Sequence, residues 1–546
     1  IRQMFHERMV QMNKITQTEL GGLFELTQEA RAELSSSKYY NEDLAPTSIS
    51  ERNWTTYNIT MLWVGMSICI PALALSSSLI TVGISPWMAV INVAIANVIV
   101  VIPILLNSQI GTKYGIPFPL LARLTFGSIG AQVPAILRAI TACGWCAVQS
   151  WAGGGGVAAL LSIFFGSRFT DETWTIRVPS WGGMTDVACG QMIGYIIFLI
   201  FVAWVAFNGI EKIKWVQNIG GPALLVVMAV LLIWSANLAG EEGYTFFGVM
   251  NTPGDDALVA SNGGFVLVYM TGLMGNIAYW STMALNIPDF SRYARSQKDQ
   301  TAGLLYGMPL PMGLCAFIGA YFAQATKIAY GEALFDPSMI FYHLENKLVV
   351  LLGGLGVIAA TITTCVGANV VAPANGFSNI APKKISYKTG VIVTVLLSFF
   401  VLQAWWIYSS GSAYMTWMNA YGSILAPIAA IFCADYFLCK HKRIDMMSLF
   451  QGKEGRYWYT NGVNWAAIIA WVLAFIFPLM TYFNVSGPFW NFINSINYVW
   501  SFVIGFVVYA LLMKTKLAGN SYITDEEHEA FTAHEHIEEE IIIDQK

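Results

Sequence analysis

Residues 58–80 read NITMLWVGMSICIPALALSSSLI, without one Asp, Glu, Lys or Arg. A helix of about 20 such residues crosses the ~30 Å hydrocarbon layer of a bilayer, and this run sits inside an apolar segment, 56–84. The pattern recurs at 87–106, 131–163, 187–208, 216–238, 263–288, 303–326, 347–375, 389–407, 414–438, 464–482 and 492–513. Of all 546 residues, 56% are hydrophobic and 11% charged, against roughly 25% charged in ordinary soluble domains. A water-soluble core cannot absorb that much apolar surface. The chain is therefore expected to be an all-α polytopic membrane protein with 12 transmembrane helices, solvated by the lipid bilayer.

The net charge of −4 says less than its placement. Loops after even-numbered segments hold Lys113 and Arg123, then Lys212 and Lys214, then Arg292, Arg295 and Lys298. Later ones hold Lys383, Lys384 and Lys388, then Lys440, Lys442, Arg443, Lys453 and Arg456. Loops after odd-numbered segments hold Arg168, Arg177, Lys327 and Lys347 among acids such as Asp171, Glu172, Glu241, Glu242, Asp255 and Asp256. Cations in excess mark the cytoplasmic side, which places both termini there and requires an even number of spans. Residues 1–50 are expected as a mobile cytoplasmic tail, 51–515 as the membrane domain of an integral protein of the inner or plasma membrane, and 516–546 as an acidic cytoplasmic tail. The polar residues ahead of the first span read as neither a cleaved signal nor a targeting helix.

Most of the eight cysteines fall inside spans, so no disulfide framework is expected. Cys143-Gly144-Trp145-Cys146 resembles a C-x-x-C thiol motif only superficially, because that chemistry needs a helix N-terminus beside a soluble sheet. There is no Walker sequence, and the histidines His6, His343, His441, His528, His534 and His536 lie in tails or near loops. An enzyme, an ATP-driven pump and a nucleic-acid partner are disfavoured, and no cofactor is expected. Uphill movement of a solute would draw on an ion gradient.

Small residues interrupt several spans: Gly65 in the first, Gly272 and Gly275 in the sixth, Gly367 in the eighth. The first and sixth are corresponding members of two five-helix halves. In carriers built from inverted repeats, paired breaks free carbonyls and half-helix ends for a solute and its coupling ion. Glycine also simply permits close packing. That plainer role suits Gly153-Gly154-Gly155-Gly156 in the third span and Gly353-Gly354 in the eighth, as a tight helix crossing.

A polar side chain in hydrocarbon is costly without a partner. The third span offers Trp145 and Gln149, four apart on one helical face. The sixth offers Trp280, and the eighth offers Thr361, Thr363, Thr364 and Asn369. Two indole faces and two amides suit a flat heterocycle bearing N–H and C=O groups. Each residue alone also fits a simpler role. Tryptophans anchor at headgroups, amides cross-link helices at about 0.6–2 kcal/mol, and threonine hydroxyls bond back one turn. Asp289 and Asp435 fall at predicted span ends, leaving no central carboxylate to carry a proton. Hydroxyls and bared carbonyls could instead hold a small alkali cation, with Thr363 and Thr364 as the candidate hydroxyls.

Several motifs in one order carry a family resemblance. They are Asn41-Glu42-Asp43-Leu44 with Glu51-Arg52-Asn53-Trp54, the run Gly111 to Pro119, Trp145-x-x-x-Gln149, the run Asn286 to Arg292, Asn369 to Pro373, and Ala434-Asp435-Tyr436-Phe437. Over roughly 40–515 the chain resembles the first of the two nucleobase–cation symporter families, that of cytosine, uracil, hydantoin and allantoin permeases. The resemblance implies a LeuT-like fold of two inverted five-helix repeats, about 56–238 and 263–438, plus two C-terminal helices within 464–513, working by alternating access. It implies a ring held between Trp145 and Trp280, with its polar edges on Gln149 and Asn369. It also implies Na+ held by the carbonyls of Gly65, Ile68 and Ala360 and the hydroxyls of Thr363 and Thr364. Two positions depart from the family's sodium-coupled hydantoin carrier. Cys69 stands where that carrier has a glutamine beside the substrate, and Tyr279 where it has a glycine; both are kept as candidate substrate contacts.

The leading expectation is a secondary active symporter importing uracil, allantoin, a hydantoin or a similar ring with Na+. The alternatives are a proton-coupled member of the same family and a carrier of the same scaffold for another small nitrogenous solute, such as an amino acid or amine.

Overall fold

The computed structural model describes residues 17–521 apart from 38, 41, 209, 345, 381–384, 484, 486 and 520. The outer parts of both expected tails, together with Lys38, Lys383 and Lys384, lie outside the described residues, as do the side chains of Lys212 and Lys214. The first elements are a hairpin, β1 (Gln17–Leu20) with β2 (Leu23–Leu26), and a short helix α1 (Gln28–Leu34). Thr27 caps α1, its Oγ1 accepting from the Ala30 N–H at 3.2 Å. Leu26, Ala30 and Leu34 are buried, and the Arg52 guanidinium secures the segment by donating to the carbonyls of Phe24, Thr47, Thr112 and Lys113. The described part of the expected mobile tail is thus packed onto the membrane domain. Three apolar residues at four-residue spacing are too weak a signal to stand out in a polar segment.

Helices dominate the rest. In order they are α2 (Thr56–Ser67), α3 (Ile70–Thr81), α4 (Pro86–Tyr114), α5 (Phe118–Phe126), α6 (Gln132–Phe165), α7 (Cys189–Phe207), α8 (Ile210–Glu241), α9 (Phe265–Ala278), α10 (Ser281–Asn286) and α11 (Gln297–Tyr330). Then come α12 (Lys347–Thr364), α13 (Val371–Ile380), α14 (Tyr387–Leu396), α15 (Gly411–Ala434), α16 (Trp465–Leu479), α17 (Pro488–Ser495) and α18 (Asn497–Leu512). Among the described residues, seven helices are long and apolar enough to cross a membrane, or nine if α2 with α3, bent by 53°, and α17 with α18, bent by 85°, each count as one span. An extended hairpin, β3 (Thr175–Ser180) with β4 (Gly183–Ala188), fills the connection between α6 and α7.

The breaks of the first and sixth spans fall beyond the glycines expected to make them. Gly65 lies inside α2, and the chain turns extended only at Ile68 and Cys69. The cause is Pro71: it has no N–H, and its ring excludes the carbonyl four residues earlier. That carbonyl, of Ser67, receives the Cys315 thiol at 3.7 Å instead. Gly272 and Gly275 likewise lie inside α9, where added Cβ atoms would press on Leu79 and Met415. They serve packing. The expected single sixth span is two helices, because the Trp280 N–H turns to the Ile277 carbonyl and the Tyr421 hydroxyl donates to the Ala278 carbonyl at 3.0 Å. Gly367 does sit in an irregularity, a π-helical stretch Cys365–Val370 between α12 and α13. Pro373 explains it by leaving the Asn369 carbonyl without its helical donor.

The expected glycine crossing is present. A Cβ on Gly156 would lie 2.9 Å from the Gly354 carbonyl oxygen, and one on Gly354 would lie 3.0 Å from that of Gly156. Gly154 meets α7, where a Cβ would come within 2.6 Å of the Tyr195 nitrogen. The two helices can approach this closely only without side chains. At the far end of α15, buried Asp435 accepts from Thr125 at 2.8 Å, Tyr509 at 2.7 Å and the Lys440 ammonium. Such a buried pair is tolerable only when its remaining lone pairs are satisfied, and here they join α5, α15 and α18.

Between α11 and α12 the turn Pro337–Tyr342 packs on α6, with Ser338 facing Gly155. Its cap, Asp336, is buried, accepts from the Ser338 N–H at 2.9 Å and Oγ–H at 2.6 Å, and is pushed up to about 6 by that burial. The folded state holds this proton more tightly than the unfolded chain. Its stabilising effect is therefore full below pH ~4 and lost as pH rises through about 6. Melting curves in detergent across that range should show the loss, and Asp336→Asn should flatten it; equal slopes in both proteins would argue against a buried proton there.

Candidate functional site

On α6, Arg138, Ala142, Trp145 and Gln149 recur at spacings of four, three and four, which is one face of a helix. That face meets the α9–α10 break and the π-helical stretch after α12. One cavity of about 50 Å³ lies between them. The sequence-predicted Trp145, Gln149, Tyr279, Trp280, Thr364 and Asn369 all line it.

The Trp145 indole is enclosed by rings at its edges. Tyr279 lies 4.9 Å away, Trp417 5.0 Å, Tyr414 6.1 Å and Tyr421 6.2 Å, all in edge-to-face geometry. Trp280 is held by its Nε1–H, which donates to Asn97 Oδ1 at 3.0 Å, and meets Trp63 at 5.4 Å and Tyr279 at 5.1 Å. Tyr279 therefore contacts both indoles, where the sequence led to an expectation of two indoles facing each other across a ring. Gln149 is 3% exposed, and its Oε1 has no hydrogen-bond partner among the described residues. The Asn369 amide likewise makes no side-chain hydrogen bond among the described residues. Its place on the π-helical stretch turns it toward the cavity.

Cys69 does not line the cavity; it lies behind Tyr279, with its Sγ 3.0 Å from the phenolic oxygen. The two positions that departed from the family pattern are thus in contact and satisfy one another. A single sequence shows both substitutions but not their adjacency.

The residues expected around a cation are arranged less completely. Ile68 ends α2, and neither its carbonyl nor that of Gly65 accepts a hydrogen bond among the described residues. Thr363 donates to the Ala359 carbonyl at 2.7 Å and Thr364 to the Ala360 carbonyl at 3.5 Å. This is the back-bonding ordinary for threonine in a helix. A hydroxyl that donates its proton this way keeps lone pairs, and of the five residues only Thr364 also lines the cavity.

Met66, Thr282, Met283 and Arg138 complete much of the wall and were missed by sequence reasoning. For Arg138 a signal existed: an ionisable residue inside a predicted span is a functional candidate by default.

Comparisons with known proteins bear on the same chain. Residues 46–505 match the family described as permease for cytosine/purines, uracil, thiamine, allantoin. A purine-uracil permease from Arabidopsis thaliana is 32% identical over 88% of this chain and 77% of its own length. An allantoin permease from Bacillus subtilis is 31% identical over 90% and 97%. Among solved structures, the nucleobase-cation-symport-1 family transporter Mhp1, closed with bromovinylhydantoin bound, superposes with a TM-score of 0.69 at 22% identity, covering 90% of this chain and 99% of that one. A Na+-coupled sialic acid symporter gives 0.54 at 12% identity over 88% and 94%. These likenesses show the fold, and the relatives are permeases rather than enzymes.

Tyr279 provides a test of the cavity's construction. Tyr279→Phe, which loses only the contact with Cys69, should cost about 1 kcal/mol of unfolding free energy. Tyr279→Ala should cost about 3 kcal/mol or more by opening space between the indoles. Denaturation in detergent measures both; equal costs would mean the ring itself packs nothing.

Proposed function

This chain belongs to the family of permeases for cytosine/purines, uracil, thiamine and allantoin, and from that premise we propose that it is a secondary active symporter importing a planar nitrogen heterocycle, such as uracil, allantoin or a hydantoin, on a Na+ gradient. The observation that carries the reading is the cavity wall of Trp145, Gln149 and Asn369. A buried carbonyl oxygen without a donor costs about 1–3 kcal/mol, and Gln149 Oε1 is such an oxygen. A ring N–H is the partner it lacks, and the Trp145 face offers stacking area beside it. Two relatives, a purine-uracil permease and an allantoin permease, agree in chemistry with that solute class.

In this reading the broken pairs α2–α3, α9–α10 and α17–α18, and α12 with α13, each make one span. With α4, α6, α7, α8, α11, α14, α15 and α16 the total is twelve. One five-helix repeat runs from α2 to α8 and its inverted counterpart from α9 to α15. Both termini lie in the cytoplasm, where the basic loops are. Alternating access opens the cavity to one side and then the other. The coupling ion is assigned to the carbonyls of Gly65, Ile68 and Ala360 with the hydroxyls of Thr363 and Thr364. Hard oxygen ligands of this kind suit a small cation without an ionised side chain. The two unengaged carbonyls at the end of α2 and the Thr364 oxygen beside the cavity support that assignment.

Radiolabelled ring uptake by proteoliposomes should rise when a Na+ gradient is imposed and be competed by unlabelled rings of the same class. Uptake indifferent to Na+ and to every such ring would sink the proposal. Asn369→Ala should abolish measurable binding, losing roughly 1–3 kcal/mol or more. Thr364→Val should fold normally while its uptake loses Na+ dependence; an unchanged dependence would remove Thr364 from the ion site.

A further inference from the structure

Arg138 is the one charged side chain on the cavity wall among the described residues. It is 7% exposed, two helical turns before Trp145 on the same face of α6, and faces Thr282 and Met283 of α10 across the space. Its Nε has no hydrogen-bond partner among the described residues. With the Asn286 amide turned so that both its ends are satisfied, Nη2 donates to the Asn286 oxygen at 2.6 Å. Asp289 lies close enough to attract it but forms no ion pair with it within 4.0 Å among the described residues, and its Oδ1 accepts the Phe118 N–H at 2.8 Å.

A guanidinium removed from water without a contact counter-charge is expensive. Its planar fork of N–H donors is satisfied best by two oxygens held in one plane. The partner in place, one neutral amide, leaves donors unused.

We propose that Arg138 forms an inner subsite of the cavity that takes the oxo-bearing edge of the solute, so that the carrier selects rings carrying carbonyls over the same rings carrying amino groups. This rests on the transport reading above. The guanidinium exchanges Asn286 for the solute's oxygens as the ring passes the α6–α10 side of the cavity. The carbonyl oxygens of a dioxo ring supply acceptors, and their partial negative charge is attracted. An amino edge sets N–H donors against N–H donors and leaves the buried charge unpaired. Arg138 is thus a specificity-determining residue, at the opposite end of the cavity from Gln149.

Equilibrium binding to the full-length protein in detergent, with uracil and hydantoin each set against a diamino analogue of the same ring, tests the assignment. The wild type should favour the dioxo ring about tenfold or more. Arg138→Lys, keeping the charge but not the fork, should lower that ratio. Arg138→Gln should abolish it by weakening only the dioxo ring. A purely structural role would weaken both rings alike, so folded variants that keep the wild-type ratio overturn the proposal. Asn286→Ala gives a second arm if the Arg138 variants do not fold. With the competing amide gone, dioxo binding should tighten severalfold, and an unchanged or weaker affinity overturns the subsite. A wild type that binds no ring of either kind overturns the transport reading, and the subsite with it.

Discussion

In hydrocarbon every backbone N–H and C=O must find a partner inside the protein, and the organisation of this molecule follows from where that demand is met indirectly. Helix α2 stops at Ile68 because Pro71 cannot supply the next N–H, and the orphaned Ser67 carbonyl is covered by Cys315. The α9–α10 break is covered in turn by Tyr421, and Tyr414 reaches the Pro71 carbonyl at 3.2 Å. Non-helical backbone at such depth is tolerable only when surrounded by protein. The breaks are thereby confined to the middle of the bundle, and the cavity forms beside them.

What surrounds them is closely packed and cross-linked for identifiable reasons. Paired glycines let α6 and α12 approach until a Cβ would collide with the opposite carbonyl. Polar contacts lock the remaining seams: Asn107 donates to the Ala284 carbonyl at 2.8 Å, Asn276 to Asn92 at 2.9 Å and Asn497 to Asn419 at 2.8 Å. The Asp435–Lys440 pair anchors three helices at one end. Against that frame, two polar atoms on the cavity wall, Gln149 Oε1 and Arg138 Nε, have no hydrogen-bond partner among the described residues.

Much of this was legible along the chain. Trp145 and Gln149 share a face by their spacing alone, and the Gly153–Gly156 run announced a close crossing because only a missing side chain permits one. Apolar runs located most of the long helices, since hydropathy depends on composition and not on partners. Other features were not legible. Gly65, Gly272 and Gly275 drew attention as break points, yet the breaks fall at Ile68–Cys69 and at Tyr279–Trp280. The first has a local cause in Pro71 that outweighs any glycine. The second has none in the sequence, because the hydroxyl that covers the Ala278 carbonyl comes from Tyr421, 143 positions away.

The solvent of this protein, the helical state of its spans, the helix face carrying Trp145 and Gln149, and the family are legible in the order of residues alone. These depend on composition, short-range periodicity and motif order, all of which are written along one dimension. The folded packing alone settles that Cys69 and Tyr279 touch, that Tyr279 stands between the two indoles, and that Arg138 faces the cavity almost without partners. Each of these is a contact, or the lack of one, between residues far apart in the chain. The cost of a buried polar group depends on what lies within hydrogen-bonding distance of it, and no spacing in the sequence specifies that neighbourhood.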